Sequence, residues 1–489
     1  MGLRYEFNTP IYEANNELAN FNPTTQTVVP ATSSDRYTID PNTADFGPRF
    51  GASYEVDAKT VVRGGYGISY SHWNRVGSNY LSMNPPNGVV ALQVSIPGTG
   101  LYNNVQSGFP TGMVSPTNYN PAFDTLQYMP RNSPDTQVRS WFFGVQRDLT
   151  HSWLLDLSYV GNSGINEIIV NDINQAPAGG VYPLDLAAEA GVATAPVRVP
   201  YANFSMIAGI LPWATSDYNG LQAKVEKRFS NGLYLLESFT WSKAIDIAAQ
   251  ALDGGGNCDN CGNGIPSVQN IYNVSADRGI SAYNRPFVNT TTAVWSLPVG
   301  KGQWLLPNAN RVLDEFVGGW QATGIVSGRS GDPLDFDYRP GPTSDQSVSP
   351  LTPVDGRNAY RPNISGPILA SNKSYLQYLN VTSFSTPPSA PTSGTTYNTF
   401  GNMPRNAVRG YDYWDVDMGL SKDFAITQRS HFQLRAEAFN LFNHTNFGDP
   451  NTQVPDTGAA LVQGQTGSFG VISSALPARE LQVAGKITF

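Results

Sequence analysis

The sequence predicts an all-β chain, an antiparallel transmembrane barrel with about twelve strands present. Three observations predict it. Hydrophobicity alternates with period two in segment after segment. Short and long gaps between those segments alternate strictly. The composition favours strands, turns and long loops over helices. Of 489 residues only 14% are charged, against roughly 25% in typical soluble domains. Twenty-four Tyr, 23 Phe and 9 Trp stand beside 47 Gly and 36 Pro. Such aromatic richness excludes disorder. With 30 Lys plus Arg against 38 Asp plus Glu, the net charge is −8, which speaks against a nucleic-acid partner.

The strands are read near 2–8, 47–56, 59–70, 136–148, 152–162, 216–229, 232–243, 284–298, 316–330, 410–424, 428–442 and 478–489. The last is the cleanest: Leu481, Val483, Gly485, Ile487 and Phe489 share one face, and Glu480, Gln482, Ala484, Lys486 and Thr488 share the other. Before it, Phe432, Leu434, Ala436 and Ala438 alternate with Gln433, Arg435 and Glu437, and Trp414, Val416, Met418 and Leu420 with Asp415, Asp417 and Ser421. Leu221, Ala223 and Val225 oppose Gln222, Lys224 and Glu226; Leu155, Leu157 and Tyr159 oppose Asp156 and Ser158. The segment 284–298 has the least regular pattern, because Asn289, Thr291 and Thr292 interrupt its apolar face. Counted from Leu233 and Leu235, Glu237 falls on the apolar face, and a bulge there would move it inward.

The gaps carry the topology. Those at 56–59, 148–151, 229–232 and 424–428 are short and the one at 299–315 is intermediate. The rest run from roughly 35 to 80 residues, lengths that count against a compact soluble domain but match short periplasmic turns and long extracellular loops. The chain is therefore expected in the Gram-negative outer membrane, against lipid. No apolar run approaches a membrane helix, which says nothing about strands. A soluble β-sandwich also alternates. It does not, however, account for aromatics at strand ends (Tyr66, Tyr70, Phe239, Trp241, Trp295, Trp320, Trp414, Phe439, Phe442), which fit two interfacial girdles.

Several segments, in order along nearly the whole chain, resemble the barrel of TonB-dependent receptors of the Oar-like, acidobacterial type. They are Phe46-Gly47-Pro48-Arg49-Phe50-Gly51 with Thr60 to Gly67; Tyr218 to Gln222 with Val225 to Phe229 and Thr240 to Lys243; Asp277-Arg278-Gly279 and Leu297 to Gly302; Gly318 to Gln321; and Arg405-Asn406, Arg409-Gly410, Asp417, Lys422 and Phe439 to Gly448. The resemblance implies an outer-membrane receptor that takes up a bulky extracellular substrate of unknown identity, and not an enzyme. It also implies a signal peptide, a regulatory-like β-sandwich, a plug and a barrel of about 22 strands. The residues Met1 to Phe7 carry no signal-peptide pattern. Residues 1–489 are thus expected to be the C-terminal portion of the barrel, with TonB contacted only through the missing N-terminal part. The runner-up is an outer-membrane adhesion or surface-binding protein without transport.

Candidate sites are few. Cys258-Asp259-Asn260-Cys261 lies in a Gly- and Asn-rich stretch. A redox motif would need a helix start, and zinc two further ligands. A calcium loop from Asp253, Asn257 and Asp259 is another reading, and a loop disulfide in an oxidising compartment the preferred one. His72, His151, His431 and His444 are scattered in sequence and suggest no metal or catalytic cluster, so no cofactor is expected. Lys224, Glu226, Arg228, Asp415, Asp417, Arg435, Glu437 and Lys486 are expected to face the lumen, where they hydrate or cross-pair in preference to binding solute. Phe489 resembles the C-terminal signal read by the barrel-assembly machinery.

Overall fold

In the computed structural model, the described residues are 1–72, 78–88, 119, 121, 125–149, 152–175, 200–204, 206–247, 268–338, 361–385, 400–427, 429–455 and 467–489. Twelve strands form one continuous meander. They are β1 (Gly2–Glu6), β2 (Asp45–Asp57), β3 (Thr60–Ser71), β4 (Thr136–Asp148), β5 (Trp153–Asp172), β6 (Ile207–Ser230), β7 (Leu233–Asp246), β8 (Phe287–Ser296), β9 (Trp320–Arg329), β10 (Tyr413–Ala425), β11 (His431–Phe439) and β12 (Glu480–Thr488). Each pairs antiparallel with the next in sequence. Two short strands, Leu126–Tyr128 and Gly279–Ile280, attach to β6 and β7. Among the described residues β1 and β12 are the two edges of this sheet.

All twelve expected strands are present, most within a few residues of their predicted ends. β5 and β6 run longer than alternation predicted, because their outer ends, Ile169 to Asp172 and Ile207 to Leu211, are buried on both faces. A strand covered on both sides has no polar face to alternate. Residues 316–317 are helical instead of extended: α1 spans Arg311–Val317, capped by the Asn310 side chain on the Leu313 N–H (2.8 Å). Gly319, at φ +72°, then turns the chain into β9. The β6–β7 hairpin turns on Asn231 and Gly232, both at positive φ, as a tight hairpin matched to strand twist requires.

Directly opposed residues of neighbouring strands share a face, so the register sorts the sheet into two. Leu481, Val483 and Ile487 lie opposite Ala438, Ala436 and Phe432. Through β10 and β9 the same face carries Leu434, Trp414, Val416, Trp320 and Val326. Through β8 to β2 it carries Trp295, Trp241, Leu221, Tyr159, Phe143, Tyr66 and Tyr54. Large apolar side chains on this face are open to the surroundings along the whole sheet, from Tyr54 at 70% to Val483 at 75% exposure. Among the described residues no second sheet packs against them. An apolar surface this extensive belongs in lipid, since soluble monomers rarely expose patches beyond a few hundred Å². Phe439 is the exception among the strand-end aromatics: it pairs with Glu480 on the opposite face.

The buried core lies elsewhere. Ile169, Leu211, Ala214, Ile247 and Val268 form one cluster, and Ile39, Leu81, Met129, Val170, Ala208 and Ile210 another. Leu334, Phe336, Tyr378, Leu379, Val381, Phe384, Met403, Val454, Phe469 and Ile472 form a third. All sit in the long connections or in the outer extensions of β5 and β6. The described parts of the long loops, with the outer ends of β5 and β6, thus form a folded cap with its own cores, and the rest of the sheet carries none of these clusters.

Candidate functional site

The polar face of the sheet is the first part of the site. Lys224 and Glu226 fall on the face opposite Leu221 and Val225, Lys224 in register with Ser238 and Asp156 and Glu226 with Leu236 and Leu154; Arg228 follows two residues on along β6. Asp415, Asp417, Arg435, Glu437, Gln482 and Lys486 fall on the same face. Charges two residues apart on one strand pair along it: Lys224 Nζ with Glu226 Oε2 at 3.1 Å, and Arg435 Nη1 with Glu437 Oε1 at 3.4 Å. Arg228 Nη2 lies 3.8 Å from Asp148 Oδ1. Asp417 instead accepts the backbone N–H of Asn440 at 2.9 Å, closing the loop end of β11.

One pair on this face was missed by the sequence reading. Arg63 on β3 reaches Asp156 on β5 at 2.7 Å, across the whole width of β4. It crosses there because its β4 partner is Gly144. A Cβ at 144 would stand 2.6 Å from Ser158 Oγ, the hydroxyl that donates to Asp156 at 2.8 Å. Not every residue here is polar: Phe142 and Ile325 also lie on this face and are 45% exposed.

Above the sheet, the long loop between β9 and β10 is bolted to the loop between β7 and β8. Arg405 Nη2 meets Asp246 Oδ1 at 2.7 Å, and its Nη1 donates to the carbonyls of Asp246 and Asp277 at 2.9 and 3.0 Å. Arg361 pairs with the Asp277 carboxylate, and its Nε donates to the Met403 carbonyl at 2.7 Å. Both arginine–aspartate pairs are almost fully buried. Gly279 permits the approach, since a Cβ there would come within 3.0 Å of Arg405 Cβ. Asn406 Nδ2 donates to the Ile280 carbonyl at 2.7 Å, and Arg409 Nη1 to the Asn284 carbonyl at 2.8 Å. Burial raises the Asp277 carboxyl above the usual carboxylate range, against the opposing pull of Arg361 and Arg405. Three stretches that carry the family resemblance in sequence, 277–279, 405–406 and 409–410, therefore meet here with Asp246 and Arg361 as one charge-balanced lock.

His444 stacks on Trp414 with ring centroids 4.2 Å apart. Asn440 and Asn443, both at positive φ, bend the chain around it. Asn440 Oδ1 accepts the His444 N–H at 2.8 Å, and Asn446 bonds both the N–H and the carbonyl of Trp414. This motif builds the passage from strand to loop. His431 opens β11. Cys258, Cys261 and His151 lie outside the described residues. His72, far in sequence from the other histidines, stands beside Asp45 and Asp135. Phe489 follows β12 and is 95% exposed.

The family described as "Outer membrane beta barrel domain" matches residues 1–482. No curated protein matches the chain. Among solved structures it is similar to Pseudomonas aeruginosa FpvA bound to heterologous pyoverdines (8% identity, 92% of this chain, 33% of that one, TM-score 0.39). It is also similar to the outer membrane transporter YddB of Escherichia coli (10%, 92% and 41%, 0.41), and to the ferric enterobactin receptor PfeA of P. aeruginosa (11%, 91% and 40%, 0.39). The chain spans between 33% and 41% of the length of these proteins.

Proposed function

The chain belongs to the outer-membrane β-barrel domain family, and from that premise we propose that it is the C-terminal portion of the barrel of a TonB-dependent receptor of the Oar-like type. Its work is uptake of a bulky substrate across the Gram-negative outer membrane, not catalysis. The apolar face lies against lipid and the polar face lines the lumen. The folded loops form the outer surface on which substrate is captured.

The observation that carries this reading is the convergence of Asp277, Gly279, Arg405, Asn406 and Arg409 into one buried lock. These residues belong to the segments on which the resemblance rests, and the lock fixes two long loops above the polar face. A loop surface held this rigidly suits selective capture, since ordering on binding is then largely avoided. Among the described residues β1 and β12 are the unpaired edges of the sheet, which fits the larger barrel. In lipid, each unpaired backbone group costs several kcal/mol, so further strands are expected to cover both edges. TonB is reached through a segment outside these residues.

Fluorescent oligosaccharides, peptides and metal chelates offered to cells with and without the gene, in strains with and without TonB, test the reading. One class should bind in a gene-dependent manner and enter only when TonB is present. Gene-dependent binding with no entry in either strain would establish the surface-binding alternative instead.

A further inference from the structure

Away from the lock, one cluster joins the loop ends of the first four strands. His72 directly follows β3. Its Nδ1 lies 3.2 Å from Oδ2 of Asp135, which precedes β4, and 3.7 Å from Oδ2 of Asp45, which opens β2. Its Nε2 lies 3.0 Å from Oε2 of Glu6, at the end of β1. Glu6 is braced in turn by Arg4 Nε at 2.7 Å. Asn42 Nδ2 donates to Asp45 Oδ1 at 2.6 Å and to Asp135 Oδ2 at 3.3 Å. The Asp45 side chain is 2% exposed, and its Oδ2, turned toward His72, accepts no hydrogen bond.

Three carboxylates thus share one imidazole, one guanidinium and one amide. A buried carboxylate oxygen without a donor is costly unless a cation serves it. The spacing fits one. Around a tetrahedral ion with arms of about 2.1 Å, neighbouring ligand atoms stand about 3.4 Å apart. The two distances from Nδ1 lie on either side of that value, and one atom from each of His72, Asp45 and Asp135 lies within 4.8 Å of the others. The far side of the ring has the arrangement typical of a metal-bound histidine, whose second nitrogen donates to a carboxylate that fixes the ring. Glu6 is that carboxylate.

We propose that His72 Nδ1, Asp45 and Asp135 bind a divalent first-row transition ion of the Zn²⁺ kind, with Glu6 as the positioning residue, so that the ion staples the loop ends of β1 to β4. An imidazole donor selects such ions over Ca²⁺ and Mg²⁺, which take oxygen ligands.

Co²⁺ is the probe, titrated into the full chain purified in detergent from outer membranes and followed by its visible d–d absorption. One equivalent should give intense tetrahedral bands that Zn²⁺ abolishes and excess Ca²⁺ does not. Asp45→Asn and His72→Gln should each weaken binding at least tenfold. Glu6→Gln should weaken it by about 10- to 100-fold with unchanged band positions, the mark of a positioning residue. Absence of binding, weak octahedral bands, displacement by Ca²⁺, or thiolate charge-transfer bands from Cys258 and Cys261 would overturn the proposal. So would full binding by the His72→Gln protein. Where a variant fails to reach the heat-modifiable form, the wild-type spectrum decides alone.

Discussion

Glu237 on β7 and Thr291 on β8 are direct cross-strand partners, and the threonine hydroxyl donates to the glutamate carboxylate. The pair lies on the apolar face, between Leu235 and Phe239. The ladder to β8 runs unbroken from Leu233 to Trp241, and the one irregularity toward β6 lies between Leu233 and Leu235. The bulge that would have turned Glu237 inward is therefore not there. Asn289 Nδ2, at 3.4 Å from Thr291 Oγ1, extends the contact. Asn289 and Thr291, two of the three residues that interrupted the pattern of β8, and the charge that broke the pattern of β7 are one feature, a polar strip that serves a carboxylate facing lipid; Thr292 lies on the other face, opposite Leu236. Thr291→Val should leave that carboxylate without its donor and lower stability by about 1–3 kcal/mol. Glu237→Leu together with Thr291→Val should restore or exceed the wild-type value. Urea unfolding in lipid vesicles measures both.

The assignment of faces predicts a sharp contrast between adjacent residues of β12. Val483→Arg places a charge on the apolar face and should cost about 2–4 kcal/mol if the site lies near mid-membrane. Gln482→Arg, one residue away on the polar face opposite Glu437, should change stability by no more than about 0.5 kcal/mol. Equal costs in the same unfolding assay would mean that the two faces see the same surroundings.

The lock should hold the loops and not the sheet. Arg405→Met leaves Asp246 buried without its partner, a loss of about 3–5 kcal/mol, borne by the loops. Limited proteolysis should then cut the β7–β8 and β9–β10 loops faster, while the heat-modifiable mobility of the barrel persists. Loss of that mobility would show that the lock supports the sheet as well.

Cys258 and Cys261 are expected to be bridged in protein from the outer membrane, since a pair so close in sequence in a long extracellular loop would meet an oxidising compartment. Intact-mass measurement should find two hydrogens gained on reduction and no alkylation before it. A pair that alkylates freely without reductant would remove the disulfide.

The strands were legible because lipid on one side and polar groups on the other impose period two on every span. Three other things were not. The outer end of β6, Ile207 to Leu211, is a continuous apolar run buried on both sides, and without alternation it read as loop. The cap is held by pairings such as Leu126 with Ile207 and Asp337 with Gln453, both parallel and far apart in sequence. No local pattern announces them. His72 looked isolated because Asp45 and Asp135 reach it only through the register of β2, β3 and β4. By contrast, Asp277, Gly279, Arg405, Asn406 and Arg409 were visible as motifs, but their ion-pair partners Asp246 and Arg361 were not, and neither was the meeting, since it depends on how two long loops fold together.

Asp172 ends β5 in the cap, well beyond the aromatic Tyr159 and outside the membrane span. Its carboxylate accepts the N–H groups of Asn174 and Ile207 at 2.8 and 2.9 Å. Burial nevertheless pushes its carboxyl from 3.8 up to about 7. The sign follows from proton counts. Between those values the folded cap keeps the proton that the opened chain has released. The folded form therefore binds more protons, and stability falls as pH rises, by at most about 1.4 kcal/mol per unit. Below 3.8 both forms are protonated, and above about 7 both are ionised, so the curve is flat at either end. Asp172→Asn keeps an oxygen for the two N–H groups and has no proton to release. Protease cleavage within the cap, followed from pH 4 to 8, should accelerate in the wild type and more weakly in Asp172→Asn. The difference between the two curves should be confined to the window between the two pKa values. Parallel curves across that window would mean that Asp172 is ionised in the folded cap and that the two backbone N–H groups suffice to hold its charge.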